Sequence, residues 1–254
     1  MSDDSRPSRT ESRTALRTAA VIPAAGRGVR LGPGAPKALR ALNGTPMLIH
    51  AVRALAASRA VSLVVVVAPP DGAPEVKSLL DAHALPDRTD FLVVPGGESR
   101  QESVKLGLDA LPPDYDIVLV HDAARPLVPV DTVDAVIQAV REGAPAVVPA
   151  LPLADTVKEV EPAATPGDPE PVVATPERAR LRAVQTPQGF DRTTLVRAHG
   201  TVTDNVTDDA SMVEQLGEQV VVVPGHEEAF KVTRPLDLVL AEAVLARRRL
   251  NDGF

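Results

Sequence analysis

A mostly parallel α/β sheet, covered by helices on both faces, is the fold this sequence predicts, and three observations predict it. Short runs that are apolar throughout alternate with segments of helical periodicity from Ala19 to Pro149. Runs without polar alternation belong to strands buried on both faces, as in a parallel sheet. Glycine-rich or charged turns follow three of these runs, so ligand-binding groups gather at one edge of the sheet, outside the carboxyl ends of the strands. A chain of 254 residues, 44% hydrophobic, is also long enough to bury one full core.

The elements follow in order. Residues 1–18 are polar, rich in Ser, Thr and Arg, and lack the apolar stretch of a secretory signal. They read as a disordered tail, with Asp3, Asp4 and Glu11 weighing against a transit peptide. A single domain then spans 19–250. Strand Ala19–Pro23 opens into a glycine loop, and a helix is expected over Pro46–Ser58, where Leu48, Ile49, Val52 and Leu55 keep helical spacing and Pro46 suits the first turn. Strand Val61–Val67 ends at the turn cluster Pro69-Pro70-Asp71-Gly72. Helix Ala73–Ala82 and strand Asp90–Val94 lead to Gly96-Gly97, which opens a helix carrying Val104, Leu106, Leu108 and Leu111. Strand Ile117–Val120 ends in His121-Asp122-Ala123-Ala124-Arg125-Pro126, and helix Asp131–Arg141 and strand Ala146–Pro149 close the first run.

The pattern changes over 151–185. No helix of useful length fits there, and Glu161–Pro176 is dense in Pro, Gly and acids between two β-like pieces, Thr156–Val160 and Pro171–Ala174. An irregular stretch this long inside a compact domain points to function or partner contact. We read it as a projecting β-arm that pairs with a second subunit. Beyond Thr186-Pro187-Gln188 come a short helix at Asp191–Ala198, a helix with Thr207 as N-cap and acids in its first turn, strand Gln219–Val223, and a last helix through Leu240 to Arg249.

Composition excludes several classes. The net charge is -7, aromatics are 2% and there is no Trp, which argues against a nucleic-acid binder. Without cysteine there is no disulfide framework, thiolate nucleophile or Cys-based zinc site. No apolar run reaches the ~18 residues of a membrane span, and a cytoplasmic protein is expected. Charge is unevenly spread: residues 1–59 hold ten Lys/Arg against three Asp/Glu, and 60–254 hold seventeen against thirty-one. A locally cationic loop on an acidic body suits a small polyanion.

That loop carries Gly26, Gly28, Gly32 and Gly34 with Arg27, Arg30 and Lys37. Glycines let backbone N–H groups approach a ligand, and the cations make that ligand an anion such as phosphate. It is not a Walker A motif, and Leu31 stands where the dinucleotide fingerprint needs its third glycine. Gly-x-Gly alone fits a tight turn equally well; Arg30 and Lys37 tilt the reading, since like charges repel unless an anion lies between them. Asp122, at a strand end beside Arg125, either caps its turn and pairs with Arg125 or ligates Mg²⁺ together with substrate phosphates. His121 reads as structural, because neighbouring strand residues point to opposite faces. The other four histidines form no cluster in sequence, Lys231 and Arg234 read by default as a surface pair, and nothing resembles a covalent nucleophile.

With Pro23-Ala24-Ala25-Gly26-x-Gly28-x-Arg30-Leu31 and Pro36-Lys37 in view, the chain resembles nucleotidyltransferases of the glycosyltransferase-A-like superfamily, with their Rossmann-like sheet. His121-Asp122-Ala123-Ala124-Arg125-Pro126, Thr207-Asp208-Asp209-Ala210-Ser211 and Lys231-Val232-Thr233-Arg234-Pro235, with Gly96-Gly97 and Thr186-Pro187-Gln188, narrow the resemblance to the 2-C-methyl-D-erythritol 4-phosphate cytidylyltransferase family. The likeness runs from Ala19 to Arg248. It implies transfer of the cytidylyl group of CTP to 2-C-methyl-D-erythritol 4-phosphate, with pyrophosphate released and Mg²⁺ as cofactor. It implies that Arg30 and Lys37 stabilise the transition state and that Asp122 is the metal-associated carboxylate. Ala24, Ala25, Gly26, Gly97 and Ser103 would hold the nucleotide. Arg125 falls within the Asp122 motif and is counted with the substrate-binding residues. Thr156, Arg178, Thr207 and Lys231 would hold the second substrate, with Arg178 reaching a partner subunit's site in a homodimer. Ribitol-5-phosphate cytidylyltransferases and related sugar-phosphate enzymes are the alternative. A non-catalytic nucleotide-binding module would be expected to lack Arg30, Lys37 or Asp122, and all three are present.

Overall fold

The computed structural model describes residues 16–26, 36–202 and 206–251. The strands are β1 (Thr18–Pro23), β2 (Ala41–Leu42), β3 (Thr45–Pro46), β4 (Val61–Ala68), β5 (Asp90–Pro95), β6 (Ile117–Val120), β7 (Ala146–Pro152), β8 (Glu159–Val160), β9 (Val172–Ala174), β10 (Arg182–Val184), β11 (Gln188–Asp191) and β12 (Val220–Pro224). The helices are α1 (Met47–Ala56), α2 (Ala73–Asp81), α3 (Arg100–Asp109), α4 (Val130–Arg141), α5 (Arg192–Thr201), α6 (Asp209–Gln215) and α7 (Pro235–Asn251).

Eight strands form the main sheet, in the order β7-β11-β6-β1-β4-β5, with β12 and β10 also on β7. β1 lies at the centre, parallel to β4 on one side and β6 on the other. The chain first winds outward through β4 and β5 and then returns to place β6 on the opposite flank of β1. That reversal makes a switch point, where the loops leaving neighbouring strands part and open a crevice.

Alternation along β1 fills the two faces. Ala20 and Ile22 pack with Leu48, Val52, Val133 and Ile137 on the α1 and α4 side. Ala19 and Val21 pack with Val104, Leu108, Phe190 and Leu195 on the α3 and α5 side. Both faces are covered and the central strands are uniformly apolar, as a parallel sheet between helices requires. On α3, Gly107 allows the closest approach. A Cβ there would lie 2.5 Å from Val21 Cγ1 and 2.9 Å from Val67 Cγ2.

The sheet is not wholly parallel. β11 runs antiparallel to both β6 and β7 and lies between them, and β10 pairs antiparallel with β7. Neither strand is announced by the sequence, because Arg182-Ala183-Val184 and Gln188-Gly189-Phe190-Asp191 are too short and mixed to show a period. The small β2–β3 hairpin, by contrast, has a local signal. Asn43-Gly44, the commonest tight-hairpin pair, joins the two strands with positive φ at both residues (53° and 79°).

Several boundaries differ from expectation. Residues 1–18 are expected from composition to be disordered; 1–15 lie outside the described residues, and Thr18 is fully buried at the start of β1. The Arg17 guanidinium lies over the Tyr115 ring at 4.2 Å and donates to its hydroxyl at 2.8 Å, so order begins before the apolar run. Thr207 does not cap α6. Asp208 does, its carboxylate accepting from Ser211 N–H at 3.0 Å. A carboxylate one residue later satisfies the same backbone donors and also suits the positive end of the helix. The arm forms a separate two-stranded sheet in which β8 pairs antiparallel with β9.

Candidate active site

Three strand ends meet at the switch point. The pocket there is lined by Ala24, Ala25 and Gly26 after β1, by Gly97, Ser99, Arg100 and Ser103 after β5, and by Asp122 after β6. Lys37 and Lys231 complete its cationic lining. Arg30, with Gly28, Gly32 and Gly34, lies outside the described residues.

The strand ends are fixed by backbone hydrogen bonds. Ala24 N–H donates to Val67 O and Gly96 N–H to Ala68 O, each at 2.8 Å, so the β1 and β5 loops both hang from β4. Beyond them Ser99 caps α3, its hydroxyl accepting from Glu102 N–H at 3.0 Å. The Glu102 carboxylate in turn accepts from Glu98 N–H at 2.8 Å. Ser103 donates to Ser99 O at 2.9 Å and accepts from Gly97 N–H at 3.2 Å. A Cβ on Gly97 would fall 2.2 Å from the Glu102 carboxyl carbon, so a side chain there would displace the Glu102 carboxylate from the Glu98 N–H it accepts from. Ser103 thus shapes the Gly97 turn as well as lining the pocket.

Asp122 is the electrostatic centre. Lys231 Nζ lies 2.8 Å from Oδ2, Arg100 Nε 3.7 Å from Oδ1, and Arg125 Nε 3.9 Å from Oδ2. Burial alone would raise the carboxyl pKa. Lys231 and then Arg100 and Arg125 outweigh that and hold it down to about 2. The group is therefore an anion at any working pH. Its backbone is fixed as well: Asp122 N–H donates to the Thr186 hydroxyl at 3.0 Å, and that hydroxyl lies 3.0 Å from His121 Nδ1. The Arg125 carbonyl can only accept, so His121 Nε2 carries the proton and donates to it at 3.1 Å, and the neutral ring's Nδ1 accepts from the Thr186 hydroxyl. His121 is fully buried and, through that burial, held down to about 4. It remains neutral and structural, as its strand position suggests.

The expected site residues divide. Ala24, Ala25, Gly26, Lys37, Gly97, Ser103, Asp122 and Lys231 converge on one pocket. The neighbourhood of Lys231 suggests half of a surface pair, but Lys231 turns inward to Asp122 while Arg234 stays exposed. Arg125 does not line the pocket. Its guanidinium donates to Ala229 O at 2.7 Å and Val184 O at 3.3 Å, tying the Asp122 turn to two other segments. Thr156, Arg178 and Thr207 are exposed and also stand outside the lining. Arg178 donates to Ala154 O within the arm.

Nothing in the sequence singles out Arg100. Its partners are Asp209, whose carboxylate accepts at 2.8 Å from 109 residues away, and Asp122. A pairing at that separation leaves no local pattern to read.

In charge and donors the pocket suits a phosphorylated nucleotide: backbone N–H groups on two loops, cations from separate elements and the carboxylates of Asp122 and Glu98. It contains no Ser/His pair or other nucleophile–base arrangement among the lining residues. Such a site positions reactants and stabilises developing charge without forming a covalent intermediate.

Comparison with known proteins gives a uniform result. A family model described as IspD, 2-C-methyl-D-erythritol 4-phosphate cytidylyltransferase, matches residues 18–247. A protein of that name from Streptomyces avermitilis is 91% identical over 254 residues, covering 100% of both chains. Another from Frankia casuarinae is 55% identical, over 91% of this chain and 82% of its own length. Among solved structures, the Thermus thermophilus enzyme of the same name superposes with a TM-score of 0.69 at 34% identity, covering 90% of this chain and 98% of that one. The 4-diphosphocytidyl-2C-methyl-D-erythritol synthase of Anaerococcus prevotii reaches a TM-score of 0.76 at 28% identity, covering 91% and 99%.

Proposed function

Because the chain belongs to the 2-C-methyl-D-erythritol 4-phosphate cytidylyltransferase family, it is a nucleotidyltransferase that moves the cytidylyl group of CTP onto 2-C-methyl-D-erythritol 4-phosphate, and we propose that the switch-point pocket carries this reaction. The observation behind the assignment is the convergence of Lys37, Lys231, Asp122 and the Gly26 and Gly97 loops from five separate segments.

The chemistry follows from the groups present. An oxygen of the substrate phosphate attacks the α-phosphorus of CTP, the bond to the β-phosphate oxygen breaks, and pyrophosphate leaves with that electron pair. Both reactants are anions, so the barrier is largely charge repulsion and misalignment. Lys37, with Arg30 from the preceding loop, neutralises charge gathering on the α-phosphate and the leaving group. The backbone of Ala24, Ala25, Gly26 and Gly97 reads the nucleotide, helped by Ser103, without needing aromatic stacking. Lys231 orients the incoming phosphate.

Asp122 suits a magnesium ion in one respect: it is a hard oxygen donor held ionised at the pocket edge. Among the described residues no group of three or more His, Cys, Asp or Glu stands ready for a metal, so the nucleotide phosphates would supply much of the ion's ligand set beside Asp122. Bound there, Mg²⁺ would draw charge from the phosphates. Lys231, Arg100 and Arg125 keep the carboxylate anionic and oriented toward that task.

The remaining substrate residues, Thr156 and Arg178, lie outside their own chain's pocket, and the arm bears exposed Val160, Val172 and Val173. An arm with apolar surface and a cation to deliver supports a homodimer in which each arm completes the neighbour's site, as the family resemblance also implies. Thr207 belongs to the same acceptor side. The exposed position of these three residues is what an incomplete single-chain site would show.

Pyrophosphate release decides the substrate. With CTP and Mg²⁺ fixed, 2-C-methyl-D-erythritol 4-phosphate is expected to be turned over and ribitol 5-phosphate is not. Turnover of ribitol 5-phosphate alone would overturn the assignment.

A further inference from the structure

Two buried ionisable groups are left unused by this mechanism. Asp209, at the start of α6, has 1% of its surface exposed, and His199, near the end of α5, has 8%. Burying a carboxylate is costly unless it is paired and hydrogen-bonded. Asp209 meets both conditions. Its Oδ1 faces His199 Nε2 at 2.9 Å and its Oδ2 accepts from Arg100 at 2.8 Å. His199 Nδ1 is buried without a partner among the described residues, so the ring's one hydrogen bond is the one it donates to Asp209. His199 therefore serves this carboxylate alone.

The backbone beneath Asp209 is held from a third direction. Gln188 of β11 donates to the Asp208 carboxylate at 2.7 Å and accepts from Ala210 N–H at 3.2 Å. β11 belongs to the central sheet, so the start of α6 is pinned to the same rigid body as the strand ends around the pocket. Asp209 is a fixed point, and Arg100 reaches from it across to Asp122.

That reach has a geometric effect. Lys231 engages Oδ2 of Asp122 while Arg100 approaches Oδ1, so cations from different segments address the two oxygens. Lys231 and Arg125 both lie on the Oδ2 side, so without Arg100 the Oδ1 side has no cation to fix its rotation.

We infer that Asp209, backed by His199, is a positioning residue for the transfer reaction: it anchors Arg100 so that Arg100 sets the rotation of the Asp122 carboxylate in the pocket. The inference rests on the role of Asp122 argued above. Asp209 touches neither substrate; it acts through Arg100.

The test is a double-mutant cycle on the full chain, with D122N as a control. Arg100→Gln is expected to lower kcat about tenfold, by removing the cation that faces Asp122 Oδ1, with the KM for CTP within about threefold. Asp209→Asn, which keeps the shape, is expected to fall by a similar factor while Asp209→Glu keeps most of the rate. In the R100Q background D209N should cost less than about twofold more, because both changes break one chain of contacts. A readout independent of turnover is the set of Arg100 guanidinium Nη–H resonances in a ¹⁵N-labelled sample: Nη1 donates to Asp209, and these protons are expected to lose their protection from exchange in D209N.

If R100Q keeps kcat within about twofold of wild type, or if D209N and R100Q multiply as independent losses, the inference fails. Arg100 is partly exposed, so R100Q decides the matter even if D209N does not fold. An active D122N would instead remove the role given to Asp122. An inactive D122N beside an unaffected R100Q would sink the positioning idea alone.

Discussion

Asp122, with three cations beside it, sets the character of this site. The cations leave Asp122 ionised and the pocket with an excess of positive charge, so truncating a lysine there should cost rate more than stability. Lys37→Ala is expected to lower kcat by at least ~10²-fold, as for loss of one preorganised charge-stabilising donor, with the thermal midpoint little changed; steady-state kinetics and a melt on the same sample test this. The residues legible in the sequence were those whose type and position spoke together: Gly26 and Lys37 after β1, an acid at the end of β6. Lys231 was half legible, since its motif matched the family while its neighbourhood suggested a surface charge. Arg100 and Asp209 were illegible, because nothing near either shows that the other completes it.

At the level of elements, close packing governs what may change. α3 carries Arg100 and Ser103 and rests on β1 through Gly107. Gly107→Ala would add about 1 kcal/mol of helix propensity but drive a methyl into Val21 and Val67, an overpacking cost of about 1–3 kcal/mol. A lower melting temperature is expected, with pocket residues disturbed in step. α7 is held differently. Glu228 pairs with Arg247 and Arg248, and although partial burial pushes its pKa up, those two arginines outweigh it and hold the carboxyl below its usual range. A carboxyl depressed in the folded state adds stability above its unfolded pKa of about 4.5 and loses that contribution as pH falls through the folded value. Glu228→Gln should therefore melt earlier than wild type at neutral pH, with the gap closing in acid; melting curves at several pH values follow it. The helices were legible because each repeats a period over many residues, and the parallel strands because each is a continuous apolar run. β10, β11 and the β2–β3 hairpin were not read, the first two for want of length and the hairpin although Asn43-Gly44 announced it.

For the whole molecule, the question is whether one chain makes one site. If the arm lends Arg178 to a neighbour, K37A and R178A proteins should each be nearly inactive, yet a remixed sample should recover roughly a quarter of the wild-type activity. Half the dimers would then be mixed, each with one intact site. No recovery after unfolding and refolding together, or a monomer in equilibrium sedimentation, would rule out sharing. The parallel core and its ligand edge were legible at this scale, since an α/β alternation dictates both. Which chain supplies the arm's residues was not, because a sequence carries no record of distance between copies.

The reversed strands beside β7 have one more consequence. Arg182 lies opposite Pro152, so the chain leaves the sheet and rejoins it at adjacent points of the same rim. Everything between is a stalk whose two feet are already bolted together. The loop between β8 and β9 lies between Thr156 and Arg178 and carries neither, so its length is nearly free: doubling a flexible loop costs only about 0.6 kcal/mol. The tip between β8 and β9 is thus the place where this enzyme could be shortened, lengthened or given a foreign segment while each catalytic group keeps its coordinates.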